Sequence, residues 1–289
     1  MSQTPQTQRT FGIQTLQTCT WSELRERWEW FEALGFDSLW LPDHLVPTAN
    51  REGPFFEAWT ALSALAMATK RVRLGVLVSS NTFRHPALLA KQAVTVDHIS
   101  AGRLELGIGA GWFAWEHETF GLDFPPTKEL VDRYAEAVTL LDTYLRNGVS
   151  SFQGQHYTLR DAPNRPAPLQ LPRPPFMIGA HGPRTIRLAG RYADTWNSRG
   201  TPDEIRERNA RLDDSAVAAD RDPAAIRRSL LYVVAQMPEE NPWVSIEAFR
   251  DFIGRFGEAG MADFILQPPP PEQFSLVERI ADEVIPTLR

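Results

Sequence analysis

The sequence predicts an α/β fold, an eight-stranded (β/α)8 barrel of the TIM type. Short apolar segments alternate with longer amphipathic ones along the chain, which is typical of repeated βα units and a parallel sheet. Eight strand–helix pairs can be counted, the number that a closed barrel needs. The length of 289 residues also suits one such barrel folded as a single unit.

The predicted strands are short and mostly apolar. They are Phe11–Gln14, Ser38–Leu41, Val72–Val78, Leu104–Ile108, Phe176–Gly179, Thr195–Asn197, Leu230–Ala235 and Asp263–Leu266. The predicted helices are Ser22–Leu34, Phe55–Ala68, Pro86–Ile99, Glu129–Leu145, Arg184–Tyr192, Pro202–Ala219, Ser245–Glu258 and Pro271–Leu288. One segment interrupts the alternation: Phe152–Leu159 predicts a small hairpin inserted before the fifth strand. The proline-rich stretch that follows it predicts a stiff surface connection.

Composition limits the classes of function. Residues 1–10 are polar and predict a loose tail, followed by one catalytic barrel domain over residues 11–289. The net charge is −6 and the cations are scattered, which argues against a nucleic-acid partner. No apolar run approaches 18 residues, which argues against a membrane partner. Cys19 is the sole cysteine, which is consistent with a cytoplasmic protein.

In this architecture ligands bind where the carboxyl ends of the strands meet the βα loops. The residues expected there are Asp43, His44, Ser79, Ser80, Asn81, Gly107–Trp112, Gly179–Gly182, Arg184, Thr185, Asn197, Ser198, Gln236 and Gln267. The three lysines lie elsewhere, so a Schiff-base mechanism is disfavoured. Asp43 is the only acid at these ends, so neither a metal site nor a pair of catalytic carboxylates is expected.

Two glycine-bearing loops are the more informative features. Gly107, Gly109 and Gly111 follow a strand at alternate positions, so the backbone there could pass close to a flat ligand; a tight turn is the alternative interpretation. The segment IGAHGPRT leads into a helix, where free N–H groups and Arg184 favour a phosphate. Helix capping around Gly182 explains the same pattern.

His44 is the candidate catalytic histidine, because it lies at a strand end beside Asp43, an acid that could orient it. A structural loop histidine is the alternative. His181 lies in the presumed phosphate loop, and the remaining histidines are interpreted as structural. Trp40, Trp112 and Trp196 could line a substrate pocket or belong to the core equally well.

These residues resemble the bacterial luciferase-like superfamily, especially its branch of enzymes that use the deazaflavin coenzyme F420. The stretches that carry the resemblance are FGIQ (11–14), GFDSLWLPDH (35–44), RLGVLVSSNTFRHPALLAKQAVTVDHISAGRLELGIGAGW (73–112) and MIGAHGPRTIRLAGRYADTWN (177–197). Together they cover most of residues 11–200, and the third is long and specific. The last ninety residues match only in general pattern.

The resemblance implies a (β/α)8 barrel, a homodimer and a cofactor ring over the strand ends. It implies a non-prolyl cis peptide at Leu77–Val78 behind that ring, with Asp43 and His44 facing the reactive edge. The residues that it places near the cofactor are Leu77, Val78, Ser79, Asn81, Gly109, Ala110, Gly111, Gly179, Ala180, His181, Gly182, Arg184 and Thr185. The chain departs from the family pattern at Ala180, where a second glycine is common, and its variable lid insertion is reduced.

Three functions stay open. The first is hydride transfer between coenzyme F420 and a small organic substrate, which the PDH motif (42–44) favours. The second is an FMN-dependent monooxygenase, in which reduced flavin reacts with oxygen. The third is a non-catalytic accessory subunit, and retention of His44 and both glycine loops argues against it. A metal-dependent hydrolase would require bound zinc or manganese.

Overall fold

The computed structural model describes residues 8–289. The strands are β1 (Thr10–Gln14), β2 (Ser38–Leu41), β3 (Arg73–Val76), β4 (Ser79–Ser80), β5 (Leu106–Gly109), β6 (Val149–Gln153), β7 (Thr158–Pro163), β8 (Phe176–Gly179), β9 (Thr195–Ser198), β10 (Arg227–Tyr232) and β11 (Asp263–Leu266). The helices are α1 (Trp21–Ala33), α2 (Ala58–Ala68), α3 (Pro86–Ile99), α4 (Ala114–Phe120), α5 (Thr127–Arg146), α6 (Pro183–Tyr192), α7 (Pro202–Val217), α8 (Ile246–Glu258), α9 (Phe274–Arg279) and α10 (Ile285–Leu288).

Nine parallel strands form one sheet in the order β3-β2-β1-β11-β10-β9-β8-β5-β4. β3 and β4 are consecutive segments separated only by Leu77 and Val78, and together they occupy one of the eight strand positions, or staves, around the barrel. The predicted strand Val72–Val78 covers β3, whereas β4 lies beyond its end. Leu74 of β3 pairs in parallel with Leu104, just before β5, and completes the ring. The predicted (β/α)8 barrel is therefore confirmed.

The third stave is interrupted by a bulge at Leu77 and Val78, where the resemblance placed a non-prolyl cis peptide. The peptide between Leu77 and Val78 is cis. Gln14 donates from Nε2 to the Leu77 carbonyl at 2.9 Å, so β1 supports the bulge from inside the barrel. The break replaces the continuous strand Val72–Val78 that the apolar run predicted.

The helices begin at recognisable capping residues. Thr20 and Glu23 form a capping box at α1, and Thr201 and Glu204 form another at α7. Pro86 occupies the first turn of α3, where a missing N–H costs nothing. Such local signals explain why the first residues of α1, α3 and α7 lie within one residue of the predicted ones.

The insertion before the fifth stave is an antiparallel hairpin of β6 and β7, which confirms the prediction of a hairpin there. The hairpin is longer than Phe152–Leu159 because its strands extend at both ends. Three successive backbone N–H groups, from Gln155 to Tyr157, donate to the Glu136 carboxylate of α5. The hairpin loop is thereby tied to the helix beside the barrel mouth.

Several predicted boundaries are wrong. The strand predicted over Leu230–Ala235 is β10, which ends at Tyr232; the apolar residues that follow form a 3-10 turn in which Val234 is half exposed. Thr10 was assigned to the tail, but it opens β1 and its N–H donates to Ala262 O. The final predicted helix is divided by a π-helical turn over Ile280–Val284. Residues 1–7 of the predicted tail lie outside the described residues.

Most of the core lies between the barrel and its helices. A smaller apolar cluster consists of Trp40, Leu77, Met177, Leu231 and Ile265, with Val78 and Val233 packed on it. Leu77 and Val78 belong to this cluster, so it packs directly against the break in the third stave. Over residues 8–289, no helix is both long and apolar enough to cross a bilayer.

Candidate active site

His44 follows β2 at the mouth of the barrel, and its partner is a buried carboxylate. Its Nδ1 lies 3.1 Å from Oε2 of Glu116, a side chain of α4 with no exposed surface. Glu116 Oε1 accepts from the backbone N–H groups of Leu45 and Val46. Because a carboxylate accepts, Nδ1 carries the proton and Nε2 presents its lone pair on the other side of the ring. The imidazole is therefore held in one tautomer and one orientation.

Asp43 does not orient His44, which corrects the expectation from their adjacency. Its carboxylate forms a two-pronged ion pair with Arg84, at 2.6 and 3.0 Å, and accepts from the Ser80 N–H at 2.7 Å. Asp43 and Arg84 are both buried. These contacts join the end of β2 to β4, so Asp43 positions the third stave in this structure.

An aromatic wall stands beside His44. Trp112 lies edge-on to the imidazole at 5.6 Å between ring centroids, and stacks on Phe113. The Arg51 guanidinium lies 4.2 Å from the Trp115 ring centroid. Trp112 is 57% exposed, whereas the other two tryptophans proposed for the pocket, Trp40 and Trp196, are core residues. Only Trp112 of the three can meet a substrate from the surface.

The loop after β4 is held by a hydrogen-bond relay. The hydroxyls of Ser80 and Thr82 lie 2.7 Å apart, and Thr82 Oγ1 lies 2.6 Å from His117 Nε2. His117 Nδ1 donates to the Phe113 carbonyl, so both ring nitrogens are used inside the fold. The interpretation of His117 as structural agrees with these contacts.

Asn81 connects the same loop to the hairpin. Its N–H donates to Gly109 O at 3.0 Å, and its Nδ2 donates to the Tyr157 hydroxyl at 3.1 Å. Tyr157 and Asn81 line a cavity of about 340 Å³ beside the barrel mouth, together with Arg133 and Leu130 of α5. Ser79, in contrast, accepts from the Trp59 indole and is fully buried.

The glycines of the first loop allow the third strand to pack closely against them. A Cβ on Gly107 would lie 2.0 Å from the Val76 carbonyl oxygen, and a Cβ on Gly109 would lie 2.4 Å from Val78 Cγ2. Gly111 has φ +89°, a conformation that favours glycine. Ala110 stays partly exposed between them. Close packing on the bulge thus explains Gly107 and Gly109, while the loop remains at the mouth.

The second glycine loop faces the same bulge. A Cβ on Gly179 would lie 3.3 Å from Val78 Cγ2, so Val78 lies between the two loops. Ala180 is buried, and its N–H donates to Asn197 O at 3.1 Å. Gly182 is the N-cap of α6, and no side chain caps that helix. The first-turn N–H groups of α6 therefore lack a side-chain acceptor.

Arg184 and Thr185 occupy the first turn of α6. Arg184 pairs with Asp132 of α5 and is 46% exposed on its side chain. The hydrogen bond from Arg184 lowers the pKa of the Asp132 carboxyl. Thr185 Oγ1 donates back to the Gly182 carbonyl at 3.0 Å. Both side chains are thus engaged within the protein, at the edge of the second loop.

A second group of cations lies behind this loop. His181 Nδ1 lies 3.0 Å from Ser198 Oγ, and the Arg199 guanidinium lies 3.2 Å from His181 Nε2. Arg208 of α7 donates to the Arg199 carbonyl. Burial first, then Arg199 and Arg208, lower the pKa of His181 to about 3. His181 is therefore a neutral acceptor toward Arg199.

Sequence reasoning missed Glu116, Arg199 and Arg208. It searched for acids only at strand ends, whereas Glu116 lies within α4, a helix that was not predicted. Its signal was the position of an acid shortly after the first glycine loop, in the segment GAGWFAWEH (109–117). Arg199 was overlooked although it directly follows Asn197 and Ser198, which were assigned to the strand ends.

The family of this chain follows from comparison with known proteins. Residues 4–273 match the model of the luciferase-like monooxygenase family. The match spans most of the chain. The chain belongs to the luciferase-like monooxygenase family.

Its relatives include enzymes named for coenzyme F420. An F420-dependent glucose-6-phosphate dehydrogenase of Microbacterium testaceum (strain StLB037) is 37% identical over 164 residues, which are 56% of this chain and 48% of that protein. An F420-dependent hydroxymycolic acid dehydrogenase of Mycobacterium tuberculosis is 30% identical over 213 residues, 70% of this chain and 56% of the relative. The chain spans about half the length of these two curated relatives.

Solved structures share the fold along the whole chain. An F420-dependent secondary alcohol dehydrogenase in complex with an F420–acetone adduct has a TM-score of 0.85 at 22% identity, covering 98% of this chain and 99% of that one. The coenzyme F420 dependent tetrahydromethanopterin reductase of Methanopyrus kandleri has a TM-score of 0.81 at 19% identity, covering 98% and 100%.

Proposed function

We propose that this chain is an oxidoreductase that transfers a hydride between coenzyme F420 and a small organic substrate. The observation that carries the proposal is the His44–Glu116 pair, which holds one imidazole nitrogen free at the barrel mouth. The names of the relatives support F420 as the cofactor. Membership of the family supports the barrel fold in which this reaction would take place.

The residues at the mouth fit a flat, phosphorylated cofactor. Val78 lies between Gly109 and Gly179 and would back a planar ring, with Leu77, Asn81, Ala110 and Gly111 around it. The Ser79 side chain is buried against Trp59 and would not reach the ring. The uncapped start of α6, from Gly182 through Arg184 and Thr185, would take a phosphate, together with Gly179, Ala180 and His181. The cofactor, when bound, supplies a carbon centre that accepts or releases a hydride.

His44 would manage the proton that accompanies the hydride. Nε2 is positioned to take a proton from a substrate hydroxyl, or to return it to a carbonyl oxygen in the reverse direction. Glu116 would stabilise the imidazolium that forms, because its carboxylate already accepts from Nδ1. Asp43 would act by holding Ser80 and the bulge in position.

The test of His44 is specific. We expect His44→Ala to leave F420 affinity nearly intact and to lower turnover roughly 100-fold or more, the usual size of an acid–base contribution. The measurements are cofactor titration by fluorescence and steady-state turnover with the best substrate found. Unchanged turnover in the variant would remove His44 from the mechanism.

The choice of cofactor needs a direct comparison. Titration of the purified protein with F420 and with FMN, under the same conditions, should give the tighter dissociation constant for F420. Tighter FMN binding would favour the monooxygenase reaction with reduced flavin and oxygen. Binding of neither cofactor would favour an accessory subunit.

The aromatic wall suggests the kind of substrate. Trp112 is open to solvent and touches His44, so a substrate that reaches His44 also meets this indole. We propose an alcohol or carbonyl compound with an apolar or planar group beside the reacting carbon. Trp112→Ala should then raise KM about tenfold with little change in kcat, since an aromatic contact binds substrate and transition state alike.

Two further properties belong to the same proposal. By resemblance to the family, we expect a homodimer, which light scattering of the purified protein would test. A cytoplasmic location agrees with an F420 enzyme, and fractionation of the source cells would test it.

A further inference from the structure

A row of aromatic rings runs from His44 to an arginine at the barrel mouth. Trp112 and Phe113 lie edge-on to the imidazole, at 5.6 and 6.0 Å between ring centroids. Trp115 follows, 5.8 Å from Phe113. The Arg51 guanidinium carbon lies 4.2 Å from the Trp115 ring centroid and 5.6 Å from that of Phe113. Because Phe113 adjoins both groups, the guanidinium is within about 12 Å of the His44 ring.

Arg51 has no anionic partner in the part of the chain that the structure describes. It belongs to the loop between β2 and α2, and it is exposed. Two carboxylates of this region are engaged elsewhere, Glu57 with Arg84 and Glu116 with His44. Over residues 8–289, no carboxylate lies within ion-pair distance of Arg51, and no protein acceptor takes a hydrogen bond from it. The charge at this end of the aromatic row is therefore available to a ligand.

The way in which Arg51 is held suits it for binding a carboxylate. A cation over an aromatic ring is attracted by the π-electrons of the ring, and this attraction requires none of its N–H donors. The planar guanidinium keeps five donors at its edge, in a fork that matches the two oxygens of a carboxylate. The contact with Trp115 therefore orients Arg51 and leaves its donors free.

We propose that Arg51 is a specificity-determining residue that selects substrates carrying a carboxylate. This inference deepens the proposed function, on which the reaction at His44 rests. The reacting alcohol or carbonyl group would lie at His44, the apolar part of the substrate along Trp112 and Phe113, and the carboxylate at Arg51. The distance from His44 to Arg51 limits the separation of the two groups to a short carbon chain or one ring. The substrate class is thus a hydroxy acid or an oxo acid with an apolar body.

The first test measures binding and needs no turnover. Calorimetric titration, with and without F420, compares 4-phenylbutyrate with its amide, which has the same apolar body but no charge. We expect the acid to bind about tenfold more tightly, the lower end for a hydrogen bond to a charged group, because Arg51 is open to solvent. Arg51→Gln should remove this preference. Arg206→Gln should keep it, since Arg206 is an exposed arginine of α7 that pairs with Asp203.

Three results of these titrations would overturn the inference. The unmodified protein could bind acid and amide equally, it could bind neither compound under either condition, or Arg51→Gln could retain the preference for the acid.

The second test separates substrate binding from a structural role of Arg51. In steady-state turnover, Arg51→Gln should raise KM for an acidic substrate about tenfold with kcat nearly unchanged, and should leave KM for the methyl ester of that substrate unaltered. Arg51→Lys keeps the charge but lacks the planar fork, so it should recover only part of the affinity for the acid. An arginine that only tethers its loop to Trp115 would change KM equally for acid and ester, which would refute the inference.

Two other failures can be told apart from this one. If Arg51→Gln weakens F420 binding and leaves the affinity for the acid unchanged, the anion belongs to the cofactor and the substrate assignment is wrong. If the unmodified protein does not bind F420, the proposed function is wrong, whereas the titrations without F420 still decide whether Arg51 binds a carboxylate.

Discussion

His44 illustrates how a single buried acid converts a loop histidine into a candidate base. Glu116 lies 72 positions along the chain, yet it supplies the only carboxylate contact that His44 makes within residues 8–289. The same glutamate accepts from two backbone N–H groups of the His44 loop. One side chain therefore sets the tautomer of the imidazole and the path of the loop that carries it.

This arrangement predicts the effect of Glu116→Gln. The glutamine oxygen can still accept from Leu45 and Val46, so its amide NH₂ would face His44 Nδ1 and favour the wrong tautomer. We expect kcat to fall about 100-fold, with F420 affinity unchanged and a shifted pH–rate profile. Glu118→Gln, an exposed neighbour on α4, is the matched control. If the pH–rate profile of Glu116→Gln matches that of the unmodified protein, Glu116 serves only to hold the loop at Leu45 and Val46 and does not set the tautomer of His44.

His181 predicts a pH dependence of stability. Its folded pKa is about 3, against 6.5 for the unperturbed side chain. Between these values the unfolded chain binds more protons, so the contribution is complete above pH 6.5 and is lost as the pH falls toward 3. We expect His181→Asn to flatten this loss, by up to about 1.4 kcal/mol per pH unit.

Urea unfolding at pH 7, 5.5 and 4.5 measures the effect. His98→Asn, at an exposed histidine of α3, is the control. Parallel curves for His181→Asn and the unmodified protein would show that His181 titrates normally.

At the scale of elements, two helical glycines have opposite surroundings. A Cβ on Gly190 of α6 would lie 2.7 Å from the backbone of Ser215, so α6 and α7 meet closely there. A Cβ on Gly254 of α8 would meet nothing within 4 Å. The first glycine is required by helix packing, and the second costs helix stability without an equivalent contact.

The pair therefore predicts opposite effects on stability. Gly190→Ala should lower the free energy of unfolding by about 1–3 kcal/mol, the cost of overpacking. Gly254→Ala should raise it by about 0.5–1 kcal/mol through helix propensity. Denaturant unfolding of both variants gives the comparison. If the two substitutions change the free energy of unfolding equally, α6 and α7 accommodate the added methyl group of Gly190→Ala without a packing cost.

The glycines of the first loop show how an element depends on its neighbour. Their spacing predicted room for a ligand, but Gly107 and Gly109 lie against the bulge of the third stave. The spacing of glycines in a sequence cannot show whether the space beside them is filled by backbone or by a cofactor. Strand register decides this, because it determines which residues face each other.

The barrel sheet is closed by pairing between its first and last strands. β1 pairs with β2 on one side and with β11 on the other, so the first and last strands are neighbours. On the floor of the barrel, the buried Glu105 accepts from Arg73 of β3 and Arg227 of β10. These connections join distant parts of the chain, and they favour one cooperative unit over residues 11–289.

A single barrel predicts a single unfolding transition. Far-UV circular dichroism and tryptophan fluorescence should give coincident denaturation curves, because Trp28, Trp59 and Trp196 belong to the common core. Two separated transitions would show that part of the chain folds independently.

The sequence by itself determined the barrel, most of its strands and helices, the hairpin before the fifth stave and the position of His44 at a strand end, but not helix α4 or the break between β3 and β4. These follow from hydropathy period, capping residues and turn residues, which act over a few neighbouring positions. Tertiary structure decided which partner each polar side chain found: Glu116 for His44, Arg84 for Asp43 and His181 for Arg199. Such pairs join residues far apart in the chain, so they depend on strand register and helix placement that no local pattern contains.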